Sequence, residues 1–343
     1  MNADKSRKKL LFSYLRLSAF ICGSFLFLLL ICGCDRAASP ANEVVLYTSV
    51  DQPIAAPIVK AFEQKTGVRV VLVTDAEATK SVGLAERIRA EKANPRADVF
   101  WGNEPFHTIN LAEEGLLTAY DSPSAEDVPN QFKDAQHRWA SNGLRARVIG
   151  VKPGGRSMSS LFDLRDPALK GRIAMAKPSA GTTGGHVAAL FVLWGDEQAR
   201  KYFQELRGNG IKLLGGNSVV AQAVADGTVD AGLTDNDDIA AALASGGEIE
   251  AVLPDQAAFG TLMVPTTVGL VTGAKNGDPA KRLIDYLLSR EVEQKLLDAK
   301  FVGWSVRDVA AGKVKAMDVD LATVAKVMPR AVREATNILE GRE

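Results

Sequence analysis

Apolar runs typical of β-strands alternate with helical patterns along most of the chain. Residues 43–49 (EVVLYTS) form a β-type run, and Ile54, Ile58 and Phe62 then recur at helical spacing before Gly67. Further strands are predicted at 68–74, 97–102, 171–176, 210–214, 229–234 and 249–254, and further helices at 82–90, 105–115, 199–206, 219–225, 279–288, 291–299 and 321–339. This order predicts an α/β fold in which a mostly parallel sheet is covered by helices on both faces.

The pattern divides into two successive units. A second α/β unit begins near residues 145–151, and the chain leaves it through residues 260–273. Ligands of open α/β sheets bind at the carboxyl ends of the strands, either at a switch point or between domains. We therefore expect the polar segments that follow the predicted strands to meet at one site, and these segments are 49–51, 102–104, 177–184, 235–238 and 265–267.

The N-terminal 33 residues have the pattern of a secretory signal peptide. Five basic residues and one acidic residue precede an uncharged run that ends at Gly33, which is a length typical of a signal peptide rather than a membrane span. An uncleaved anchor helix is the alternative interpretation. Either way, the body of the protein is predicted to lie outside the cytoplasm, beside a membrane.

The end of this segment also indicates a lipid anchor. Residues 31–34 (ICGC) resemble a lipobox, which makes Cys34 the predicted site of lipidation, and residues 34–42 read as a short tether. Asp35 resembles the signal that keeps lipoproteins on the inner membrane. The predicted location is therefore the periplasm, with a lipid anchor in the inner membrane.

Composition narrows the chemistry of the body that follows. No cysteine follows Cys34, so this body has neither a disulfide nor a thiolate metal site. Without residues 1–33, 36 Lys and Arg face 40 Asp and Glu, and this mildly acidic balance argues against a nucleic-acid partner. The G-x-S-x-G pattern of a nucleophile elbow is absent, and we expect no enzymatic activity.

One glycine- and hydroxyl-rich loop is a candidate anion site. It lies between a predicted strand and an apolar helix and contains Ser179, Ala180, Gly181, Thr182 and Thr183. The first N–H groups of a helix are unpaired and carry a positive partial charge, so they bind anions. No Lys-Ser/Thr pair follows the glycines, which excludes a phosphate-loop NTPase. The alternative is an ordinary turn capped by a threonine.

An acidic cluster is the matching candidate for a cation. Asp235, Asp237 and Asp238 fall within four residues, between a predicted strand and a helix. An N-cap accounts for one of them, and crowding all three without a counterion is costly, so they suggest a metal ion or an ammonium group. The glycine and closing glutamate of an EF-hand are missing.

Other strand ends add candidates to the same site. Asp51 and Glu104 bring two further carboxylates, for which solvated loop acids are the alternative interpretation. Asn103 and Thr266 are secondary candidates for the cleft.

Five stretches carry a resemblance to a known family, and they are residues 44–73, 96–117, 163–184, 224–243 and 278–297. They resemble the extracellular solute-binding proteins of ABC importers, in the branch that contains the periplasmic ferric-iron-binding proteins. The resemblance implies a two-lobed type II periplasmic binding protein with a ligand cleft between the lobes. It places one lobe at 43–144 plus 268–343 and the other at 145–267. It also implies a monomer whose partners are an ABC permease and its ATPase.

The resemblance also bears on the ligand. In the ferric branch, metal ligands fall at the places of Asp51 and Asn103–Glu104, a tyrosine pair falls at Asp237–Asp238, and a bound anion lies against the loop at 179–182. This chain has no tyrosine at that place. The implied ligand is iron(III) or another hard cation bound with a synergistic anion, and no cofactor is expected. The alternatives are a small phosphonate zwitterion such as 2-aminoethylphosphonate, and a sensory rather than a transport role.

Overall fold

The structure is a computed structural model, and it describes residues 42–75, 82–179, 181–308 and 314–342. The predicted signal peptide, Cys34 and nearly all of the tether lie outside these residues, as does Ala180 of the candidate anion loop. Within the described ranges, no helix has the length and apolar character needed to cross a membrane.

Ten strands are present in the described residues. They are β1 (Glu43–Thr48), β2 (Arg69–Thr74), β3 (Val99–Gly102), β4 (Leu117–Thr118), β5 (Ala140–Val151), β6 (Ile173–Ala176), β7 (Lys212–Leu214), β8 (Ala231–Asp235), β9 (Glu250–Val252) and β10 (Met263–Val271). Strands β3, β6 and β8 are buried along their whole length, as expected for strands covered on both faces.

Ten α-helices accompany these strands in the same part of the chain. They are α1 (Gln52–Thr66), α2 (Val82–Ala90), α3 (Pro105–Glu113), α4 (Thr183–Trp194), α5 (Asp196–Gly208), α6 (Asn217–Ala225), α7 (Asn236–Ala244), α8 (Gly277–Leu287), α9 (Arg290–Asp298) and α10 (Leu321–Glu340). Helix α1 illustrates how the sequence sets the ends: Pro53 lies in its first turn, and Gly67 closes it in the left-handed conformation at φ 70°.

The strands form one continuous path in the order β2-β1-β3-β10-β5-β8-β6-β7, with β4 beside β10 and β9 beside β5. Strands β1, β2 and β3 are parallel to one another, and so are β6, β7 and β8. The α/β architecture predicted from the sequence is confirmed, and the sheet is mixed: four strand pairs are parallel, and the five pairs that involve β5 or β10 are antiparallel.

Strand β5 joins the two groups of strands. Residues 140–146 of β5 pair with β10, whereas residues 147–151 pair with β8. All twelve residues of β5 are buried, including Arg145 and Arg147. These two arginines are two positions apart, so they share one face of the strand at the point where it passes from one group to the other.

Helix α10 contacts helices of both groups. The side chain of Asn110 in α3 donates to the carbonyl of Ala325 at 3.2 Å. On the other side, Arg330 pairs with Asp196 of α5 at 2.7 Å. The division into lobes at 145 and 267 stays a prediction. That division assigns α10 to the first lobe, and α10 contacts helices assigned to each lobe.

Candidate functional site

Asp235 is the centre of a buried polar network at the end of β8. Its carboxylate accepts hydrogen bonds from Thr182 Oγ1 at 2.6 Å, Arg147 Nη1 at 2.7 Å, Arg145 Nη2 at 2.9 Å and Asn217 Nδ2 at 3.2 Å. Asp235 occupies the N-cap of α7, yet its side chain does not cap that helix. The carboxylate is therefore committed to tertiary contacts rather than to local helix capping.

Arg145 connects this network to the next aspartate. Its Nη2 lies 2.6 and 2.7 Å from the two carboxylate oxygens of Asp237, and its Nε lies 3.0 Å from the nearer one. Its Nη1 donates to the backbone carbonyl of Asn103, the residue that directly follows β3. Removing one partner of such a buried pair costs about 3–5 kcal/mol, because the other charge stays buried.

These charges hold one another in the ionised state. Burial alone raises the pKa of Asp235, but the charges of Arg147 and Arg145 outweigh burial and lower that pKa to about 2. Burial likewise opposes the charge of Arg145, but Asp237, Asp235 and Asp238 hold the pKa of its guanidinium above its ordinary value. The protein itself thus supplies the counterion that the acidic cluster requires.

The candidate anion loop lies directly beside this network. Thr182 occupies the N-cap of α4, but its side chain does not cap the helix, since its hydroxyl donates to Asp235. The hydroxyl of Thr183 donates to Asn217 Oδ1 at 2.9 Å. Ser179 is exposed, and Gly181 is in the left-handed conformation at φ 52°.

His186, in the second turn of α4, completes the buried surroundings of Arg147. Its Nδ1 accepts from Arg147 Nε at 3.3 Å. Burial, followed by the positive charge of Arg147, lowers the pKa of His186 to about 3, so the imidazole is neutral. Nη2 of Arg147 is buried without a hydrogen-bond partner among the described residues.

The candidate residues after β3 have structural hydrogen bonds. The carboxylate of Glu104 caps α3 by accepting from the N–H of Phe106 at 2.6 Å and of His107 at 3.2 Å. Burial raises the pKa of Glu104. Asn103 Oδ1 accepts from the hydroxyl of Ser49 at 3.0 Å.

Thr266 lies apart from the acidic network. Its hydroxyl donates to Asn142 Oδ1 at 2.7 Å and to the carbonyl of Gly143 at 3.1 Å, where the β10–β5 register shifts. The secondary candidate Thr266 thus belongs to the contacts between two strands.

A cleft of about 700 Å³ opens beside the network, and we call it the acidic cleft. Its lining combines the start of α1, the exposed face of α7 and the segment that follows α9. The lining residues are Asp51, Pro53, Ile54, Asp237, Asp238, Ala240, Ala241, Leu243, Ala244, Asp298, Ala299, Lys300 and Phe301. Four carboxylates face one lysine here, and apolar side chains supply the rest of the wall.

The structure brings together about half of the predicted site residues. One oxygen each of Asp235, Asp237 and Asp238 can be chosen within 4.8 Å of one another, and Thr182 and Thr183 lie next to them. Asp51 lines the same cleft as Asp237 and Asp238. Glu104 and Thr266 instead make the contacts described above.

Sequence reasoning missed Arg145 and Arg147. The available signal was the alternation in RARVIGV (145–151), which places both arginines on one face of a strand with an otherwise apolar opposite face. The four described tyrosines do not line the acidic cleft; for example, Tyr202 is buried and donates to the carbonyl of Leu161.

Comparison with known proteins identifies a family. The model of the bacterial extracellular solute-binding protein family matches residues 43–301. The iron uptake protein A1 of Synechocystis is 27% identical over 269 residues, which cover 74% of this chain and 72% of that protein. The major ferric iron-binding protein of Neisseria meningitidis is 26% identical over 76% of this chain and 80% of its own length.

A further relative carries a different name. The putative 2-aminoethylphosphonate-binding periplasmic protein of Salmonella typhimurium is 24% identical, over 72% of each chain. Among solved structures, a Bordetella ferric binding protein is 26% identical with a TM-score of 0.70 and covers 86% of this chain and 98% of its own. The ferric binding protein from Campylobacter jejuni has a TM-score of 0.76 at 22% identity, over 86% of this chain and 99% of its own.

Proposed function

The chain belongs to the family of bacterial extracellular solute-binding proteins, and we propose that it captures a solute with a positively charged group for an ABC importer. Its family and relatives bind and deliver solutes and are not enzymes. The observation that carries the proposal is the acidic lining of the cleft, where Asp51, Asp237, Asp238 and Asp298 accompany Lys300, and of these aspartates Asp237 also pairs with the buried Arg145. In this proposal the solute passes to a membrane permease driven by an ATPase.

The first candidate solute is iron(III) or another hard cation. Hard cations prefer oxygen ligands, and carboxylate oxygens of three aspartates can approach within 4.8 Å of one another. Two relatives are named for iron uptake or ferric iron binding. Asp235 is bonded to two arginines and Asp237 to one, so we assign the cation to the cleft side of the cluster, where Asp51 and Asp238 line the cleft together with Asp237.

The second candidate is a small phosphonate zwitterion such as 2-aminoethylphosphonate, whose ammonium group would lie at the aspartates. The acidic cleft, at about 700 Å³, is larger than a single metal ion requires, and it has an apolar wall that includes Ile54, Leu243 and Phe301. Carboxylates also bind ammonium groups through charge-assisted hydrogen bonds. One relative is named for 2-aminoethylphosphonate.

A thermal-shift experiment separates the candidates. The protein is heated with ferric citrate, with 2-aminoethylphosphonate and with citrate alone. A solute at a hundredfold excess over its Kd adds about 2.7 kcal/mol to the free energy of unfolding. We expect one solute to raise Tm, and we expect the double variant Asp237→Asn, Asp238→Asn to lose that increase.

The control for this variant is Asp230→Asn, an aspartate paired with the half-exposed Arg172 away from the cleft. This control is expected to keep the full solute-induced increase in Tm. An unchanged increase in the double variant would show that the solute does not bind at these aspartates.

We also propose that the two lobes, 43–144 plus 268–343 and 145–267, close on the solute. Strand β5 passes between them and carries Arg145, whose guanidinium bonds Asn103 on one side and Asp237 on the other. Closure would bring Asp51 toward Asp237 and Asp238 across the acidic cleft. Small-angle scattering with and without the bound solute tests this, and closure predicts a smaller radius of gyration with the solute.

The N-terminal segment supports a proposal of lipid anchoring at Cys34. The variant Cys34→Ser is expected to leave the membrane fraction and to lose incorporation of labelled fatty acid.

If the protein serves as a sensor instead of a transport component, cells that lack it will still take up the solute at the normal rate.

A further inference from the structure

We propose that the carboxylate of Asp235 acts as a built-in anion. It occupies the place beside Thr182 and Thr183 where the sequence predicts an external anion. The acidic cleft would then take its cationic solute without a co-bound anion. This inference rests on the proposed function for the identity of the solute class, but its test does not require the solute.

The donors around Asp235 are those expected of an anion pocket. Thr182 begins the helix of the candidate anion loop, and its hydroxyl donates to Asp235 at 2.6 Å. Asn217, which donates to both Thr182 and Asp235, also accepts from Thr183 of that loop. Two guanidinium groups complete the set, from Arg145 and Arg147.

This arrangement leaves little room for a second anion. Thr182, Thr183 and Asp235 are each about 1% exposed, and the hydroxyls of both threonines already have protein acceptors. An external anion at this place would meet the negative charge of Asp235 in a buried environment, where charges are weakly screened.

Two simpler roles account for less of the geometry. Asp235 is not the side-chain cap of α7, although it stands at the N-cap position. Nor is it only the counterion of one arginine, because it bonds two arginines, a hydroxyl and an amide at once. A side chain without an acceptor oxygen at 235 would leave these four donors without that acceptor at one buried position.

The test is rescue of the missing carboxylate by added anions. Asp235→Ala and the near-isosteric Asp235→Asn are denatured thermally in chloride, formate and inorganic phosphate at equal ionic strength. We expect both variants to have a lower Tm than the wild type in chloride. Asp235→Ala opens space for an anion and is expected to recover in formate or phosphate with a saturable concentration dependence, whereas Asp235→Asn fills that space and is expected to recover less. The wild-type Tm is expected to be the same in all three salts.

A second measurement covers the case in which Asp235→Ala does not fold. Calorimetric titration of formate into Asp235→Ser, whose side chain is smaller than aspartate and keeps a hydroxyl, is expected to show binding at least tenfold tighter than to the wild type. Asp230→Ala, which removes a half-exposed partner of Arg172, is the matched control and should show no anion rescue.

Either of two results would overturn the inference. The first is a wild-type protein that phosphate stabilises as much as it stabilises the variants, which would mean that the external anion site is open. The second is the absence of anion rescue in both Asp235→Ala and Asp235→Ser. A failure of iron or 2-aminoethylphosphonate to bind would contradict the proposed function and leave this test unaffected.

Discussion

The ring of Phe106 in α3 packs directly against the backbone of Gly185 in α4. A Cβ atom added at Gly185 would overlap three carbons of that ring, and Phe106 is completely buried. The contact joins a helix that follows β3 to the helix that carries the candidate anion loop. Only glycine allows this approach, although glycine otherwise weakens a helix interior.

The first prediction concerns this contact. We expect Gly185→Ala to lower the free energy of unfolding by about 1–3 kcal/mol, because overpacking a tight contact forces neighbours to move. Gly208→Ala is the control, since a Cβ at Gly208 has no neighbour within 4 Å and alanine there favours the helix. Urea denaturation of both variants measures the difference, and equal stability of the two would contradict the packing argument.

The second prediction concerns acid stability and His186. The pKa of this imidazole falls to about 3 in the folded protein, from an ordinary 6.5. Over this pH range the imidazole is protonated in the unfolded chain but stays neutral in the folded protein. The free energy of unfolding therefore decreases as pH falls from about 6.5 toward 3, by about 4 kcal/mol in total. We expect His186→Gln, which keeps an acceptor for Arg147, to lose less stability over that range. Urea denaturation at each pH measures this, and an equal loss in His186→Gln and the wild type would contradict the role of the imidazole.

Asp235 gives the third prediction, over a lower pH range. Its pKa is lowered to about 2 from 3.8, so its contribution to stability is complete above pH 3.8 and is lost as pH falls through about 2. Asp235→Asn removes this contribution at every pH. The difference in unfolding free energy between wild type and variant should therefore narrow below pH 3.8, and a constant difference down to pH 2 would contradict the ion pairing.

Much of the fold could be predicted because glycine and proline mark its boundaries. Pro53 and Gly67 delimit α1, and Pro105 begins α3, close to the bounds expected from the pattern. The alternation of strands and helices predicted the α/β architecture, which the structure confirms, but not the antiparallel pairs that β5 and β10 make. The resemblance to the solute-binding proteins of the ferric branch is confirmed by the family match and by the relatives and structures of that branch.

The site was less predictable, since its decisive contacts are distant in sequence. The aspartates were identified from their crowding, which suggested a bound metal ion or ammonium group, whereas the structure places two arginines beside them. These arginines, Arg145 and Arg147, lie about 90 residues before Asp235 and Asp237 on a strand that only the tertiary fold brings alongside. Likewise, the pattern does not reveal that the hydroxyl of Thr182 turns to Asp235.

The fourth prediction concerns Glu104, whose pKa is raised by burial. A carboxyl with a raised pKa stabilises the fold while it is protonated, and that contribution is lost as pH rises through its folded pKa. Glu104→Gln keeps one oxygen to accept from the N–H of Phe106 and has no charge to bury. We expect the stability of this variant relative to the wild type to improve between pH 4 and pH 8 in chemical denaturation, and the opposite trend would mean that the charged form is the favoured one.

The last prediction separates the two candidate solutes by the apolar wall of the acidic cleft. Leu243 lines that cleft and is 51% exposed, so its side chain can contact the hydrocarbon part of a phosphonate zwitterion such as 2-aminoethylphosphonate. Leu243→Ser should weaken binding of such a solute by about 1–2 kcal/mol, or roughly 5- to 30-fold, because apolar contact contributes about 0.8 kcal/mol per buried methylene. A metal ion makes no such contact, so iron(III) affinity should stay within about twofold of the wild type.

Val219→Ser is the matched control, since Val219 is 46% exposed on α6 and is not part of the cleft lining. Titration calorimetry on the wild type and the two variants separates the candidates. Equal affinities of both variants for 2-aminoethylphosphonate would exclude a role for this wall in binding that solute. A loss of affinity confined to Leu243→Ser would support the phosphonate zwitterion.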